Sequence, residues 1–529
     1  MMMQMDARCA DTVFYNGRVM TFEPDKKTVR AIAVSDGEII AVGSDAEMRR
    51  SAPRGADKLD LGGKTVVPGF IDSHTHFLQM GVDALSVDLF NTKSKAEALS
   101  LLKAAAGRTP EREWVIGANY RDSNWSEGGF LTRKDIDEHC PKHPVVAHRI
   151  CGHLSSVNSK GIDAAGITKE TSGAVVTTSG ELTGVVTEAG VSVLRAATAS
   201  NRQKKMRGLR HAIRKAHSLG VTSVQDNGAQ GDLNVFREAE EKNKLKIRIW
   251  YNTPSASLDS LTSIGVTSGM GSEWLKLGGV KIFCDGALGA RTAALGEPFA
   301  DDPGNKGMFI HERGDLDEMA RIANDAGIQL VIHAIGDEGI EAALSSVEHA
   351  LDRNSRKDHR HRIEHLELPR PDHIDRMRKH KVIASMQPNF VGEWSGIDGM
   401  YVERLGPERA CRNNPFKDIL GAKVKLVFGS DCMPFSPLYG IRSAVNAIYP
   451  CQRLTVEEAF HGYTREAAFA SFEEHSKGTI AVGKVADFVV LSDDPFKNEA
   501  VLDSVSVLKT VLAGEVVFDR SASKRTTAK

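Results

Sequence analysis

Cysteine is scarce in this chain. Seven are scattered over 529 residues as Cys9, Cys140, Cys151, Cys284, Cys411, Cys432 and Cys451, an odd number without a Cys-x-x-Cys pair. That pattern argues against a disulfide framework and a zinc ribbon and suits a reducing compartment, so a cytoplasmic location is expected. An excess of one charge sign is also missing, because 68 Lys and Arg face 69 Asp and Glu for a formal net charge of −1. With no basic block beyond Lys524-Arg525, neither nucleic acid nor an acidic membrane surface is an expected partner, and the ligand is expected to be a small molecule. No apolar run approaches the roughly eighteen residues of a membrane span, and the opening Met-Met-Met-Gln-Met-Asp-Ala-Arg has no signal-peptide core. Internal repeats and low-complexity tracts are absent too, and a homodimer is expected on frequency alone.

What the chain does contain is ordered. Short alternating apolar runs occupy both ends, Val13 to Phe22 and Ala31 to Val42 near the start, Lys484 to Leu491 and Val507 to Phe518 near the finish. Asn16-Gly17, Asp36-Gly37 and Ala513-Gly514-Glu515 supply turn signals between them, the first two of hairpin type. One small β-sandwich built from residues 1–65 and 476–529 accounts for both ends. Between them, over residues 66–475, eight strand-like runs end in polar residues, beginning at Val66, Val221, Ile247, Gly279, Gln329, Arg362, Val382 and Val424. Segments of helical composition separate most of them. Eight strand-then-helix units with polar strand ends predict an α/β fold, a (β/α)8 TIM-type barrel with its site at the strand C-termini. The gap after the first strand is too long for one crossover, so residues 78–200 read as an insertion domain covering the barrel mouth.

The polar strand ends carry the chemistry. His74 and His76 stand two apart after Val66-Val-Pro-Gly-Phe-Ile-Asp-Ser, a spacing that points both imidazoles to one side of an extended strand. Lys281, His333, His365 and Asp431 occupy later strand ends. Four imidazoles and a carboxylate suit zinc or a similar divalent ion, which lowers the pKa of a bound water. Lys281 has two readings: a side chain snorkelling to the barrel surface, or an amine that has reacted with CO2 to give a bridging carbamate. Asp431 is either a turn aspartate or a ligand that takes a proton from the attacking water.

The ordered set Pro68-Gly-Phe-Ile-Asp-Ser-His-Thr-His76, Lys281, His333-Ala-Ile-Gly-Asp337, Arg362-Ile-Glu-His365 and Gly429-Ser-Asp431 resembles the metal-dependent amidohydrolase superfamily. More narrowly it is similar to the amidohydrolase 3 branch, which includes the N-substituted formamide deformylases. Val280-Lys-Ile-Phe-Cys-Asp-Gly-Ala-Leu-Gly-Ala-Arg291, Gln387-Pro388 and Gly478 to Leu491 extend the likeness. The resemblance implies one or two divalent metals per chain, with zinc expected, His74, His76 and Asp431 on one ion, His333 and His365 on the other, and an N6-carboxylated Lys281 between them. It also implies that metal-bound hydroxide attacks an amide-type carbon while Asp431 carries the proton. His153, Asn158, Arg291 and Gln387 are the implied substrate-binding residues.

The leading expectation is therefore hydrolysis of a non-peptide C–N bond in a small molecule, most concretely an N-substituted formamide. A cyclic amide, carbamate or ester is the alternative on the same centre, and a non-catalytic scaffold or regulatory relative is the alternative from another class. Trp114, Tyr120, Trp125 and Trp394 are available either to line an apolar pocket or to pack a core.

Overall fold

The computed structural model describes residues 9–522 apart from 26, 52, 54, 123–124, 150–153, 188 and 200. Its central feature is one eight-stranded sheet. In chain order the strands are β1 (Phe70–Thr75), β2 (Val221–Asn227), β3 (Arg248–Pro254) and β4 (Leu275–Phe283). They are followed by β5 (Gln329–Ala334), β6 (Arg362–His365), β7 (Ile383–Met386) and β8 (Leu426–Phe428). Each strand pairs in parallel with the next. Most of their residues are buried, as expected of a parallel sheet covered on both faces. Helices such as Arg313–Asp325, Asp337–Arg353 and Pro371–His380 lie between them in sequence.

The two ends of the sheet meet just past β1 and β8, where the Asp431 N–H donates to the His74 carbonyl at 2.8 Å. Gly429 makes that approach possible, since a Cβ there would stand 2.3 Å from the His74 nitrogen. The result is a TIM-type barrel.

The opening apolar run is not one strand. Thr65–Pro68 pairs antiparallel with Phe488–Leu491 in a terminal sheet, and the barrel begins only at Phe70. Pro68 has no N–H to continue a ladder, and at Gly69 the chain passes so close to Thr222 that a Cβ would lie 2.2 Å from its hydroxyl oxygen. The Asn16-Gly17 turn also differs from the hairpin expected of it. Thr12–Tyr15 belongs to a four-stranded sheet and Arg18–Met20 to a six-stranded one, so these residues carry the chain from sheet to sheet. Asp36-Gly37 and Ala513-Gly514 do close hairpins. Both sheets draw on the same apolar core, in which Phe14, Ile32 and Ile39 meet Val66, Phe488 and Val511. Phe14 and Phe488 pack edge to face with ring centroids 4.9 Å apart.

Residues 78–211 form a separate compact unit. It has a six-stranded sheet running from Ala174–Val176 to Val87–Asp88 and apolar cores of its own. Tyr120 and Trp125 stack at 5.1 Å within one core, and Trp114 packs against the other. These three aromatic residues are therefore packing groups of this unit.

Candidate metal centre

The ends of β1, β4, β5, β6 and β8 bring the sequence-predicted donors together. His76, Lys281, His333, His365 and Asp431 line a single cavity of about 390 Å3, with His74 fully buried against them. The Asp431 Oδ1 lies 3.7 Å from His74 Nε2 and 3.4 Å from His76 Nε2. The Lys281 Nζ stands 3.4 Å from His74 Nε2. Imidazole centroids are 4.7 Å apart for His74 and His365 and 4.4 Å apart for His333 and His365. One ligand atom from each of His74, His365 and Asp431 falls within 4.8 Å of the other two. The Asp431 Oδ1 is buried without a hydrogen-bond partner. A buried carboxylate oxygen left open among imidazole nitrogens fits a divalent cation, and these residues present the donor types such an ion takes.

Two of the donors sit on backbone bends rather than in regular strand. His365 and Leu366 have φ of 71° and 50°, and Asp431 and Cys432 have 49° and 60°. Non-glycine residues in the left-handed region are uncommon and concentrate at functional sites.

Burial sets the protonation of the cluster. It is the largest influence on every imidazole here, and the neighbouring Lys281 adds to it. His76 is pushed down to about 4 and His333 to about 3, while His74 and His365 also fall well below the usual histidine value. All four are then neutral at ordinary pH, with lone pairs available to a metal. Burial also pushes the Lys281 ammonium down, against the opposing pull of Glu364 and Asp431. Asp431 is pushed up by burial, with Lys281 pulling the other way.

The imidazoles are oriented from behind. His76 Nδ1 donates to the Asn227 carbonyl at 2.9 Å, and His365 Nδ1 donates to Gln387 Oε1 at 2.8 Å. His333 Nε2 donates to the Gly286 carbonyl at 2.9 Å, which leaves its Nδ1 as the free nitrogen. His74 Nδ1 donates to Glu364 Oε2, and Ser385 Oγ donates to the same oxygen at 2.8 Å. Arg362, completely buried, bonds Glu364, Gln225 and the Ser73 carbonyl. In the sequence Glu364 and Arg362 stood within the Arg362-Ile-Glu-His365 motif without a role of their own. Their signal was a pair of opposite charges at i, i+2 in the buried strand Arg362-Ile-Glu-His365, a spacing that places both on one face.

The remaining cavity wall is apolar, with Phe283, Leu288, Ile335, Phe390, Trp394 and Met400 among its residues. Glu367 joins them although it is only 3% exposed, and its Oε2 has no hydrogen-bond partner.

The expected substrate residues fare differently. His153 lies outside the described residues. Asn158 is completely buried and caps the helix Ser159–Ala165. Its Oδ1 accepts from Val145 and Gly161, and its Nδ2 donates to the His143 and Cys140 carbonyls, so its polar atoms are already used within the unit. Arg291 closes on Asp301 at 2.6 Å instead of facing the cavity. Gln387 holds His365 and leaves its buried Nε2 unpartnered.

Barrel fold and donor set together define a metal-dependent hydrolase. A model of the amidohydrolase family matches residues 57–518, and the chain belongs to that family. It is 31% identical to the Arabidopsis thaliana protein LONG AFTER FAR-RED 3, covering 96% of this chain and 92% of that one. It is 27% identical to the N-substituted formamide deformylase of Arthrobacter pascens, over 97% and 99% of the two chains. Among solved structures it resembles an uncharacterized metal-dependent hydrolase from Pyrococcus furiosus, with TM-score 0.79, 30% identity and coverage of 92% and 99%. The protein is thus a hydrolase acting on carbon–nitrogen bonds and dependent on a divalent metal.

Proposed function

We propose that this chain hydrolyses the C–N bond of an N-substituted formamide, using one or two zinc ions. His74, His76 and Asp431 would hold one ion and His333 and His365 a second, with Lys281, carboxylated, as a donor to both. The observation that carries the reading is the convergence of four neutral imidazoles, Asp431 and Lys281 on one largely apolar cavity. The likeness to a formamide deformylase over nearly the whole of both chains supports the choice of substrate. When bound, the divalent ions supply Lewis-acid activation of water and of the amide carbonyl.

The chain's own residues do the rest. Asn227, Glu364 and Gln387 fix the ring orientations of His76, His74 and His365, so that each Nε2 faces the cavity. The apolar wall excludes bulk water and strengthens electrostatic interactions inside. Asp431, raised by burial, takes the proton of the attacking water and delivers it to the departing nitrogen, so that water and formamide yield formate and an amine. The test is a formate-release assay with metal analysis of the same preparation. One to two zinc ions per chain and metal-dependent formate release support the reading, and release undiminished after chelation overturns it.

A further inference from the structure

The cavity wall indicates what the nitrogen of the substrate carries. From the candidate ligand His365, the Phe390 ring lies parallel at 6.0 Å, and Trp394 follows it at 4.5 Å. An aromatic wall thus begins beside the donors themselves. Leu288, Ile335 and Met400 continue the apolar lining, and about 390 Å3 lies toward the small end of ligand pockets.

Charge is distributed unevenly. Among the described lining residues the cationic side chain is Lys281, which belongs to the donor set. The guanidiniums of Arg291 and Arg404 both close on Asp301. Glu367 adds a carboxyl group with an open, buried oxygen. A substrate carboxylate seated on this wall would lose its hydration beside Glu367 and meet no cationic side chain outside the donor set. An N–H donor would satisfy an oxygen that otherwise stays unpaired.

We propose that the cavity takes an uncharged amide whose nitrogen bears an apolar substituent of about one ring, seated on Phe390 and Trp394, with its N–H donated to Glu367. This rests on the formamide reading for the bond cleaved, and on the wall residues for the substituent.

The test is a matched pair on the zinc-loaded full chain. N-(2-phenylethyl)formamide and N-formylphenylalanine differ by one carboxylate. The expected result is a kcat/KM about 100-fold higher for the neutral compound, the scale on which pocket complementarity discriminates. Met400→Arg should narrow that ratio by supplying a counter-ion, and Glu367→Leu, which removes the acceptor, should raise KM for the neutral compound more than it lowers kcat. Binding is read separately by rapid-mixing quenching of Trp fluorescence, with Trp394→Phe as the control that removes the signal. Equal kcat/KM for the pair, equal binding of the pair, or binding of neither overturns the proposal. Binding of the neutral compound alone, without formate release, upholds the substituent class and overturns the formamide reading.

Discussion

The Nδ1 of His74 donates to the carboxylate of Glu364 inside the barrel, so the Nε2 lone pair is turned toward Lys281 and Asp431. Glu364 is in turn fixed by Arg362 and Ser385, and none of these side chains reaches solvent. A carboxylate behind a ligating imidazole fixes its tautomer and raises its basicity.

Glu364→Gln is therefore expected to weaken metal binding by about 10–100-fold, the usual effect of losing such a partner. Competition with a chelator measures this directly, and circular dichroism separates it from unfolding. Unchanged affinity would show that the contact is packing alone.

Asp431→Asn removes the carboxylate proposed as both metal donor and proton carrier. Turnover should fall by at least about 10²–10⁴-fold, the worth of general acid–base catalysis. Thermal unfolding should stay cooperative, because the backbone N–H to the His74 carbonyl is untouched. Activity within a few-fold of the parent enzyme would remove Asp431 from the chemistry.

Lys281 is buried and stands 3.4 Å from His74 Nε2, a costly place for an ammonium. Protein loaded with zinc in 13C-bicarbonate should show a carbamate carbon resonance that Lys281→Met lacks. An identical spectrum for the two proteins would leave Lys281 as an unmodified amine.

Asp226 accepts from the Phe77 N–H at 2.5 Å, yet its Oδ2 is buried without a partner. Burial pushes this carboxyl up to about 7 from an ordinary value of 3.8. Folding therefore favours the protonated form. The stabilisation is fully present below the unfolded value and is lost as pH rises through about 7. Relative to Asp226→Asn, the parent protein should lose about 1–3 kcal/mol of stability between pH 5 and pH 8, on the scale of one unsatisfied buried group. Denaturant titration of both proteins at the two pH values measures it, and a difference that does not change with pH would refute the assignment.

Much of this molecule was legible in the sequence because the relevant patterns are local. Alternation and turn residues marked the terminal strands, and apolar runs ending in His, Lys or Asp marked the barrel strands and their catalytic ends. Where local pattern misled, geometry between distant segments was responsible. Val66 to Phe77 reads as one run, but Thr65–Pro68 is claimed by Phe488–Leu491 and Phe70–Thr75 by Val221–Asn227. Asn16-Gly17 has the composition of a hairpin turn and carries the chain between sheets. Asn158 and Arg291 have residue types suited to substrate, and their nearest partners, a helix start and Asp301, take them first.

The sequence by itself determined the barrel and the two-ended β-sandwich and singled out six candidate donors, since strand periodicity and residue type need only neighbours along the chain. Tertiary structure decided which atom each donor presents. That depends on Glu364 behind His74, Gln387 behind His365, and left-handed turns at His365 and Asp431, contacts between strands that one-dimensional spacing does not encode. It likewise decided that Trp394 faces the cavity while Trp114, Tyr120 and Trp125 pack a separate unit.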